Sequence, residues 1–239
     1  MKTKGFIGLG VMGFPMAGHI SKAYPTQVYN RSLSKAKDWV DLYSGTIALS
    51  PEEMGNACEE IFMCIGNDDD VREVVSGEKG LLKSLKSGSI IVDHTTTSAK
   101  LSREMSDFCS EKGVHYIDAP VSGGQAGADN GSLTIMAGGR EDPFNIACET
   151  MSCYSKFYKL MGPSGSGQLT KMVNQICIAG LVQGLAEGIN FSQKVGLDVS
   201  SVIEVISKGA AQSWQMENRW ETMTQDQYDH GFAVDHMRK

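Results

Sequence analysis

Three glycines near the start of the chain have a spacing that suits the binding of a phosphorylated ligand. The run Gly8-Leu9-Gly10-Val11-Met12-Gly13 follows the apolar segment Gly5-Phe6-Ile7 and precedes a helix-like stretch. Gly8 would permit a tight turn, Gly10 would let the backbone approach a pyrophosphate, and Gly13 would let helix and strand pack closely. Because helix N-termini attract phosphate groups, the run, with Val11 and Met12, predicts a dinucleotide site. The same spacing also occurs in structural turns, so its context has to decide.

The residues after the next predicted strand indicate which dinucleotide such a site would accept. Asn30-Arg31-Ser32 follows the strand candidate Gln27-Val28-Tyr29. At this place in a dinucleotide-binding unit a carboxylate binds the ribose 2′-hydroxyl, whereas an arginine accommodates a 2′-phosphate. Arg31, with Asn30 and Ser32 beside it, therefore favours NADP, with NAD as the second cofactor. The alternative is that Arg31 is a solvated surface charge.

A second group of residues could hold a small anion. The end of a predicted strand carries the run Asp118-Ala119-Pro120-Val121-Ser122-Gly123-Gly124. Open α/β sheets bind their ligands at this edge. Ser122 offers a hydroxyl, and Gly123 and Gly124 offer consecutive backbone N–H groups. The alternative is a tight turn with a structural serine.

Lys171 is the candidate for proton transfer. We expect it in the first turn of a long helix, where the helix dipole disfavours a cation. That field, with partial burial, would lower the pKa of the lysine toward the range of a general acid or base. Asn174 follows on the same helical face and would orient Lys171 or the reacting oxygen. The alternative is an ordinary solvated lysine.

Composition excludes several other classes of protein. The 239 residues are 41% hydrophobic and carry a formal net charge of -6, so the basic face of a general nucleic-acid binder is not expected. The 6 cysteines are dispersed without Cys-x-x-Cys pairs, and the 5 histidines show no metal spacing. No segment approaches the ~20 apolar residues that span a bilayer. We therefore expect a cytoplasmic, metal-independent protein that binds neither nucleic acid nor membrane.

Short β-branched runs alternate with helical patterns along the first two thirds of the chain. This alternation predicts an α/β fold with a Rossmann-type, doubly wound, mostly parallel sheet in a cofactor-binding domain over residues 1–162. The expected strands include 6–7, 28–29, 61–65, 90–92, 116–117 and 133–136. The expected helices are 34–43, 51–57, 69–75 and 98–112, with Ser34, Ser50 and Ser98 as N-caps.

Residues 163–239 predict an all-α second domain that begins with an interdomain helix of about residues 168–195. Gly180, Gly184 and Gly188 recur at four-residue spacing in that helix, which suggests close packing by another helix. The chain stops at His236-Met237-Arg238-Lys239 within sequence that looks structured. We therefore expect that this domain is incomplete.

Four separated motifs together resemble one family, the β-hydroxyacid dehydrogenases of the 3-hydroxyisobutyrate dehydrogenase and semialdehyde reductase type. The resemblance covers almost the whole chain, and the motifs occur in the family's order. They are Gly8 to Gly13, Asp93-His94-Thr95-Thr96-Thr97-Ser98, Asp118 to Gly124, and Gly165-x-Gly167-x-x-x-Lys171-x-x-Asn174.

The resemblance implies a role for each matching residue. Lys171 would be the catalytic acid/base with Asn174 beside it, and Ser122 with Gly123 and Gly124 would bind the substrate carboxylate. The residues implied to lie near the cofactor are Thr96, which also borders the substrate, Ile65, Gly66 and Lys239. Two departures stand out: Gly66 replaces the usual proline, and the acid that follows the family's last lysine is absent because the chain ends.

The resemblance implies an enzyme that interconverts a small β-hydroxyacid, or a related 2- or 4-hydroxyacid, with its semialdehyde or oxo acid. It also implies a preference for NADP and assembly into a homo-oligomer. Three alternatives stay open: an imine reductase of the same architecture, a non-catalytic dinucleotide-binding module, and a 6-phosphogluconate dehydrogenase. Lys171 argues against the first, and intact Ser122, Lys171 and Asn174 argue against the second. The absence of an obvious set of basic residues for a sugar phosphate argues against the third.

Overall fold

A mostly parallel sheet flanked by helices forms the first part of the computed structural model, which describes residues 2–228. The strands, in chain order, are β1 Lys4–Ile7, β2 Thr26–Tyr29, β3 Thr46–Ile47, β4 Glu60–Met63, β5 Ile90–Asp93, β6 His115–Asp118, β7 Val121–Ser122, β8 Leu133–Gly138 and β9 Ser155–Gly162. The helices are α1 Gly13–Ser21, α2 Leu33–Leu42, α3 Pro51–Ala57, α4 Asp68–Ser76, α5 Ala99–Glu111, α6 Gly124–Asp129, α7 Glu141–Met151, α8 Ser166–Lys194, α9 Val199–Ile206 and α10 Trp214–Thr224.

The sheet has the order β3-β2-β1-β4-β5-β6-β8-β7, with β9 on β8. The first six strands of this order are parallel, so their carboxyl ends meet at one edge. Because the chain order reverses on either side of β1, a ligand crevice is expected at the end of that strand. The predicted Rossmann-type α/β fold is confirmed, as is the helical region that follows it.

Alternate residues of the central strands supply two apolar clusters. Phe6 and Phe62 belong to one cluster, and Ile7 and Ile61 belong to the other. Since successive side chains of a strand point to opposite faces, this sheet is covered by helices on both sides. Burial on both faces explains why these strands are continuous apolar runs in the sequence.

Three strands have no counterpart in the sequence prediction. β7 and β3 have 2 residues each, too few for any periodicity to appear. β9 alternates exposed and partly buried residues at the end of the sheet, and β8 runs antiparallel to β6 and β7. A βαβ pattern predicts only parallel neighbours, so the antiparallel return could not be anticipated.

Two of the three predicted helix caps are confirmed. The Ser50 side chain accepts a hydrogen bond from the Glu53 N–H, and the Ser98 side chain accepts one from the Leu101 N–H. The prediction for Ser34 is wrong, because α2 begins at Leu33 with Ser32 in the cap position. The two hydroxyls of Ser32 and Ser34 bond each other at 2.9 Å.

The described backbone divides into two compact units within α8, after Lys171. We call residues up to Lys171 the sheet unit and those from Met172 the helical unit; the predicted domain boundary at residue 162 stays a prediction. The helical unit has its own small core, which contains Leu185, Ile189, Ile203 and Met216.

Helix α8 extends from Ser166 to Lys194, close to the predicted range. Among the described residues, nothing lies within 4 Å of a Cβ placed at Gly180, Gly184 or Gly188, so no helix of this part of the chain packs closely there and the predicted close packing by another helix stays a prediction. An 18-residue window of α8 has a mean hydropathy of 1.2, so by length and composition this helix would also be able to cross a membrane. Core helices of soluble proteins meet the same criterion, so the prediction about membranes stays a prediction.

Candidate active site

The glycine run forms the turn between β1 and α1. Gly8 has a φ of +93°, and a Cβ there would lie 2.2 Å from the Cys64 carbonyl oxygen. A Cβ at Gly13 would lie 1.9 Å from the Gly8 carbonyl oxygen, whereas one at Gly10 would meet no atom of the described part of the chain within 4 Å. The outer two glycines therefore permit close packing, and the middle one leaves open space. Val11 and Met12 complete the turn before α1 begins.

Asn30, at the end of β2, holds this turn in place. Its side-chain oxygen accepts a hydrogen bond from the Leu9 N–H at 2.9 Å, and its amide nitrogen donates to the Ser32 carbonyl oxygen. Sequence reasoning placed Asn30 among the cofactor contacts, and the structure gives it a role in shaping the loop. Ser32 beside it is exposed.

Arg31 projects from the same strand end. Its side chain is 89% exposed, and its Nη1 lies 3.2 Å from an Asp70 carboxylate oxygen. A Cβ at Gly66 would lie 2.0 Å from the other Asp70 oxygen, so the glycine at this position leaves space for that carboxylate. Because exposed ion pairs contribute little free energy, the Arg31 guanidinium can exchange this partner for another anion.

The ends of β4 and β5 are connected by a hydrogen bond. The Ile65 N–H donates to the Thr95 hydroxyl oxygen at 3.1 Å. Thr96 is half-buried and lies between the buried residues Thr95 and Thr97. Both segments follow parallel strands of the sheet, so Ile65, Gly66 and Thr96 share the edge at which the glycine turn lies.

The predicted anion-binding residues Ser122, Gly123 and Gly124, which we call the anion loop, come shortly after β6 in the chain. Ser122 is the last residue of β7 and is half-buried, and Gly123 and Gly124 are exposed at the start of α6. Gly123 has a φ of +134° and Gly124 one of +60°, values that side chains disfavour. The two glycines therefore allow a sharp turn that leaves the backbone of this loop accessible.

Lys171 is buried, with 8% of its surface exposed. Its Nζ donates a hydrogen bond to the Val121 carbonyl oxygen at 2.8 Å, which places the ammonium group beside the residue that precedes Ser122. Burial lowers the pKa of Lys171 to about 8. The structure thus brings together the predicted proton donor and the predicted anion loop, which are about fifty residues apart in the chain.

Of the two causes expected for the lowered pKa, the helix dipole and partial burial, burial is the one that acts. Helix α8 begins at Ser166, so Lys171 lies in its second turn, and the effect of a helix dipole falls off within the first turn. Removal of the ammonium group from water is the cause of the shift.

Asp118, to which sequence reasoning gave no role, anchors the start of α8. Its two carboxylate oxygens accept hydrogen bonds from the Gly165 N–H at 2.7 Å and the Gln168 N–H at 3.0 Å. Burial raises the pKa of Asp118 to about 6. An acid preceding the anion loop by four residues was visible in the sequence, but its contacts with Gly165 and Gln168, 47 and 50 residues away, were not.

His94 is a buried structural residue. Its Nδ1 lies 2.7 Å from the Ala119 carbonyl oxygen and its Nε2 lies 2.8 Å from the Tyr154 hydroxyl. Since a carbonyl only accepts, Nδ1 carries the proton and Nε2 accepts from Tyr154. Burial lowers the pKa of His94 to about 4, so the ring is neutral at pH 7. It connects β5 to the segment that leads into the anion loop.

The remaining two predicted site residues are Asn174 and Lys239. Asn174 belongs to the helical unit, where its side-chain nitrogen donates to the Gln175 side-chain oxygen at 2.9 Å. Lys239 lies outside the described residues.

The residues at this sheet edge fit a nicotinamide dinucleotide. The open space at Gly10, the start of α1 and the exposed Arg31 provide a backbone cradle and a cation suited to phosphates. Gly66 and Thr96 lie at the ends of neighbouring strands, where the rest of the cofactor would be held.

Comparison with known proteins gives the same assignment. Residues 3–163 match the model of the NAD binding domain of 6-phosphogluconate dehydrogenase, and residues 165–239 match the NAD-binding model of NADP-dependent 3-hydroxyisobutyrate dehydrogenase. An uncharacterized oxidoreductase of Shewanella frigidimarina is 56% identical over 100% of this chain and 82% of its own length. A probable mitochondrial 3-hydroxyisobutyrate dehydrogenase-like protein of Arabidopsis thaliana is 40% identical over 98% of this chain and 70% of its own.

Solved structures share the fold. The 3-hydroxyisobutyrate dehydrogenase of Mycobacterium tuberculosis, solved with L-serine, has a TM-score of 0.88 at 23% identity and covers 99% of this chain and 83% of its own. Psf3 in complex with NADP+ and 2-OPP has a TM-score of 0.87 at 26% identity, over 94% of this chain and 80% of its own. The chain belongs to the 3-hydroxyisobutyrate dehydrogenase family of nicotinamide-dinucleotide-dependent oxidoreductases.

Proposed function

We propose that this oxidoreductase interconverts a small carboxylate-bearing hydroxyacid with its semialdehyde or oxo acid, with a preference for NADP and with Lys171 as acid/base. The observation that carries the proposal is the buried Lys171 Nζ, 2.8 Å from the Val121 carbonyl oxygen at the start of the anion loop. A lysine with a pKa of about 8 can both give and take a proton near neutral pH.

The roles of the residues follow from their chemistry. When bound, the nicotinamide supplies or accepts a hydride at the substrate carbon. Ser122 and the backbone of Gly123 and Gly124 hold the substrate carboxylate, which orients the carbonyl group. In reduction, protonated Lys171 donates a proton from Nζ to the carbonyl oxygen, and in oxidation neutral Lys171 removes it from the hydroxyl. The Val121 carbonyl oxygen holds Nζ in one place throughout.

A substrate panel tests this proposal. Glyoxylate, succinic semialdehyde, tartronate semialdehyde and 3-hydroxyisobutyrate would each be assayed with NADPH or NADP+ and with NADH or NAD+, in the direction that each allows. We expect at least one carboxylate-bearing substrate to be turned over, with the higher kcat/KM for the phosphorylated cofactor. A cyclic imine in the same panel represents the alternative activity, and turnover of the imine alone would contradict the proposal.

The rates in the two directions should depend oppositely on pH. Reduction needs protonated Lys171, so its kcat should stay level below a pH of about 8 and fall above it. Oxidation needs the neutral amine, so its kcat should rise as the pH increases through the same value. Steady-state kinetics in both directions check this prediction, and equal pH dependence in both directions would rule out a single acid/base group.

Cofactor preference should depend on Arg31 and on its partner Asp70. Arg31→Asp should lower the NADPH/NADH ratio of kcat/KM by about 10–100-fold, because a charge-assisted hydrogen bond contributes ~1.5–3 kcal/mol. Asp70→Asn should raise this ratio by roughly 2–5-fold, since it removes a competing carboxylate from an exposed pair.

Asp69→Asn is the matched control for Asp70. It removes the same charge one residue away, from a carboxylate that pairs with Arg72 instead. We expect its NADPH/NADH ratio to stay close to that of the wild type. An equal increase of the NADPH/NADH ratio of kcat/KM in the Asp70 and Asp69 variants would show that cofactor preference responds to the overall charge and not to the contact between Asp70 and Arg31.

A further inference from the structure

The Gln168 side chain makes a two-sided contact with the segment that contains Thr96. Gln168 is buried, with 1% of its surface exposed. Its side-chain oxygen accepts a hydrogen bond from the Thr97 N–H at 3.1 Å, and its side-chain nitrogen donates to the Thr95 carbonyl oxygen at 2.7 Å. The side-chain amide of Gln168 therefore forms hydrogen bonds to the backbone on both sides of Thr96.

The backbone of Gln168 is itself held firmly. Its N–H donates to the Asp118 carboxylate, which also accepts a hydrogen bond from the Gly165 N–H. The start of α8 is thus bonded to the end of β6, and the Gln168 side chain bonds it to the segment after β5. Because Lys171 follows three residues later in the same helix, a displacement of this turn would displace the lysine as well.

We propose that Gln168 is a positioning residue, which holds Thr96 at a set place relative to Lys171 through paired hydrogen bonds to Thr95 and Thr97. This inference rests on the proposed role of Lys171 as acid/base. A primary amide suits the position because it presents a donor and an acceptor side by side. A carboxylate lacks the donor, and an apolar side chain of the same length leaves both buried backbone groups without a partner.

The first test compares Gln168→Met with Gln193→Met, which changes an exposed glutamine of the same helix. Loss of two buried hydrogen bonds should lower kcat for reduction by about 10–100-fold, whereas the Kd for NADPH should change less than about twofold. The control variant should match the wild type in both quantities. A Gln168→Met variant that keeps wild-type kcat would overturn the inference.

Gln168→Glu gives a readout that a merely structural role would not produce. Burial raises the pKa of a carboxyl group, and the protonated carboxyl regains an O–H donor for the Thr95 carbonyl oxygen. The ratio of variant to wild-type kcat for reduction should therefore increase as the pH falls, whereas the same ratio for Gln168→Met should stay constant. A constant ratio in both variants would contradict the inference.

Other titratable groups near this turn do not account for such a difference. The Asp118 carboxylate accepts from the Gln168 N–H, the Asp93 carboxylate accepts from the Thr95 N–H, and Asp68 bonds Ser98. These groups and Lys171 are present in the wild type and in both variants. A carboxylate at position 168 would raise the pKa of Lys171, so the ratio is compared below pH 7, where Lys171, with a pKa of about 8, is protonated in every protein.

Amide hydrogen exchange at Thr97 tests the contact without turnover. In the protein without cofactor, we expect exchange at this amide to be about tenfold faster in Gln168→Met than in the wild type or in Gln193→Met. Unchanged exchange would show that Gln168 does not hold the segment, whatever the substrate panel gives. An inactive wild type with normal Thr97 protection would instead count against the proposed function alone.

Discussion

Replacing Lys171 with methionine is expected to lower kcat by ~10²–10⁴ in either direction, the usual contribution of a positioned acid/base. The Kd for NADPH should stay near that of the wild type, since the glycine turn and Arg31 lie at the ends of other strands. Stopped-flow or steady-state kinetics would measure the first quantity, and a fluorescence titration the second. A parallel loss of cofactor binding would assign Lys171 a different role.

The same variant should be more stable than the wild type at pH 7. The pKa of Lys171 is lowered from its ordinary value of 10.5 to about 8, so burial favours the neutral amine. Between these two values the unfolded chain binds more protons than the folded one, and stability rises with pH; below both, the full cost of burying the cation is present. Methionine removes that cost and also a hydrogen bond, so we expect a gain of roughly 1–3 kcal/mol in the free energy of unfolding.

Chemical denaturation at several pH values tests this expectation. The advantage of Lys171→Met over the wild type should shrink as the pH rises from about 8 toward 10.5. Lys159→Met is a suitable control, because Lys159 is exposed on β9. It should change neither the stability nor the kcat appreciably. A destabilised Lys171→Met at pH 7 would show that packing around Nζ outweighs its desolvation.

The second large effect is expected from Gly13→Ala. The new Cβ would lie 1.9 Å from the Gly8 carbonyl oxygen, which is a backbone atom and cannot rotate away. Either α1 or the turn has to shift, at a cost of about 3 kcal/mol in the free energy of unfolding. Denaturant unfolding should show this loss, together with loss of cofactor binding.

Gly10→Ala is the matched comparison, since it adds the same methyl group three residues earlier. No atom of the described residues 2–228 lies within 4 Å of a Cβ at Gly10, so the variant should unfold like the wild type, within about 1 kcal/mol. It should nevertheless bind NADPH more weakly, because the methyl group occupies the space in which the pyrophosphate would approach the backbone. Normal cofactor affinity in Gly10→Ala would place the pyrophosphate elsewhere.

Local sequence patterns were sufficient for much of the molecule. Strands buried on both faces appear as apolar runs, and the starts of α1, α3 and α5 are marked within a few residues by the glycine run, Ser50 and Ser98. The glycine spacing also implied the close packing at Gly13, because the nearest atom that a Cβ there would meet is the carbonyl oxygen of Gly8 in the same turn. Such features involve contacts between residues close in the chain, so the sequence alone predicts the Rossmann sheet and the family.

Other properties depend on contacts between residues far apart in the chain. The pKa of Lys171 depends on burial beside Val121, 50 residues away, and the environment of Arg31 depends on Asp70, 39 residues away. The two bonds of Gln168 cross 71 and 73 residues. Each of these contacts exists because parallel strands bring their carboxyl ends to one edge and an antiparallel return brings α8 back to it. Residue types and spacing therefore identify the chemical groups, whereas the order of strands in the folded sheet determines which groups meet and how far they are removed from water.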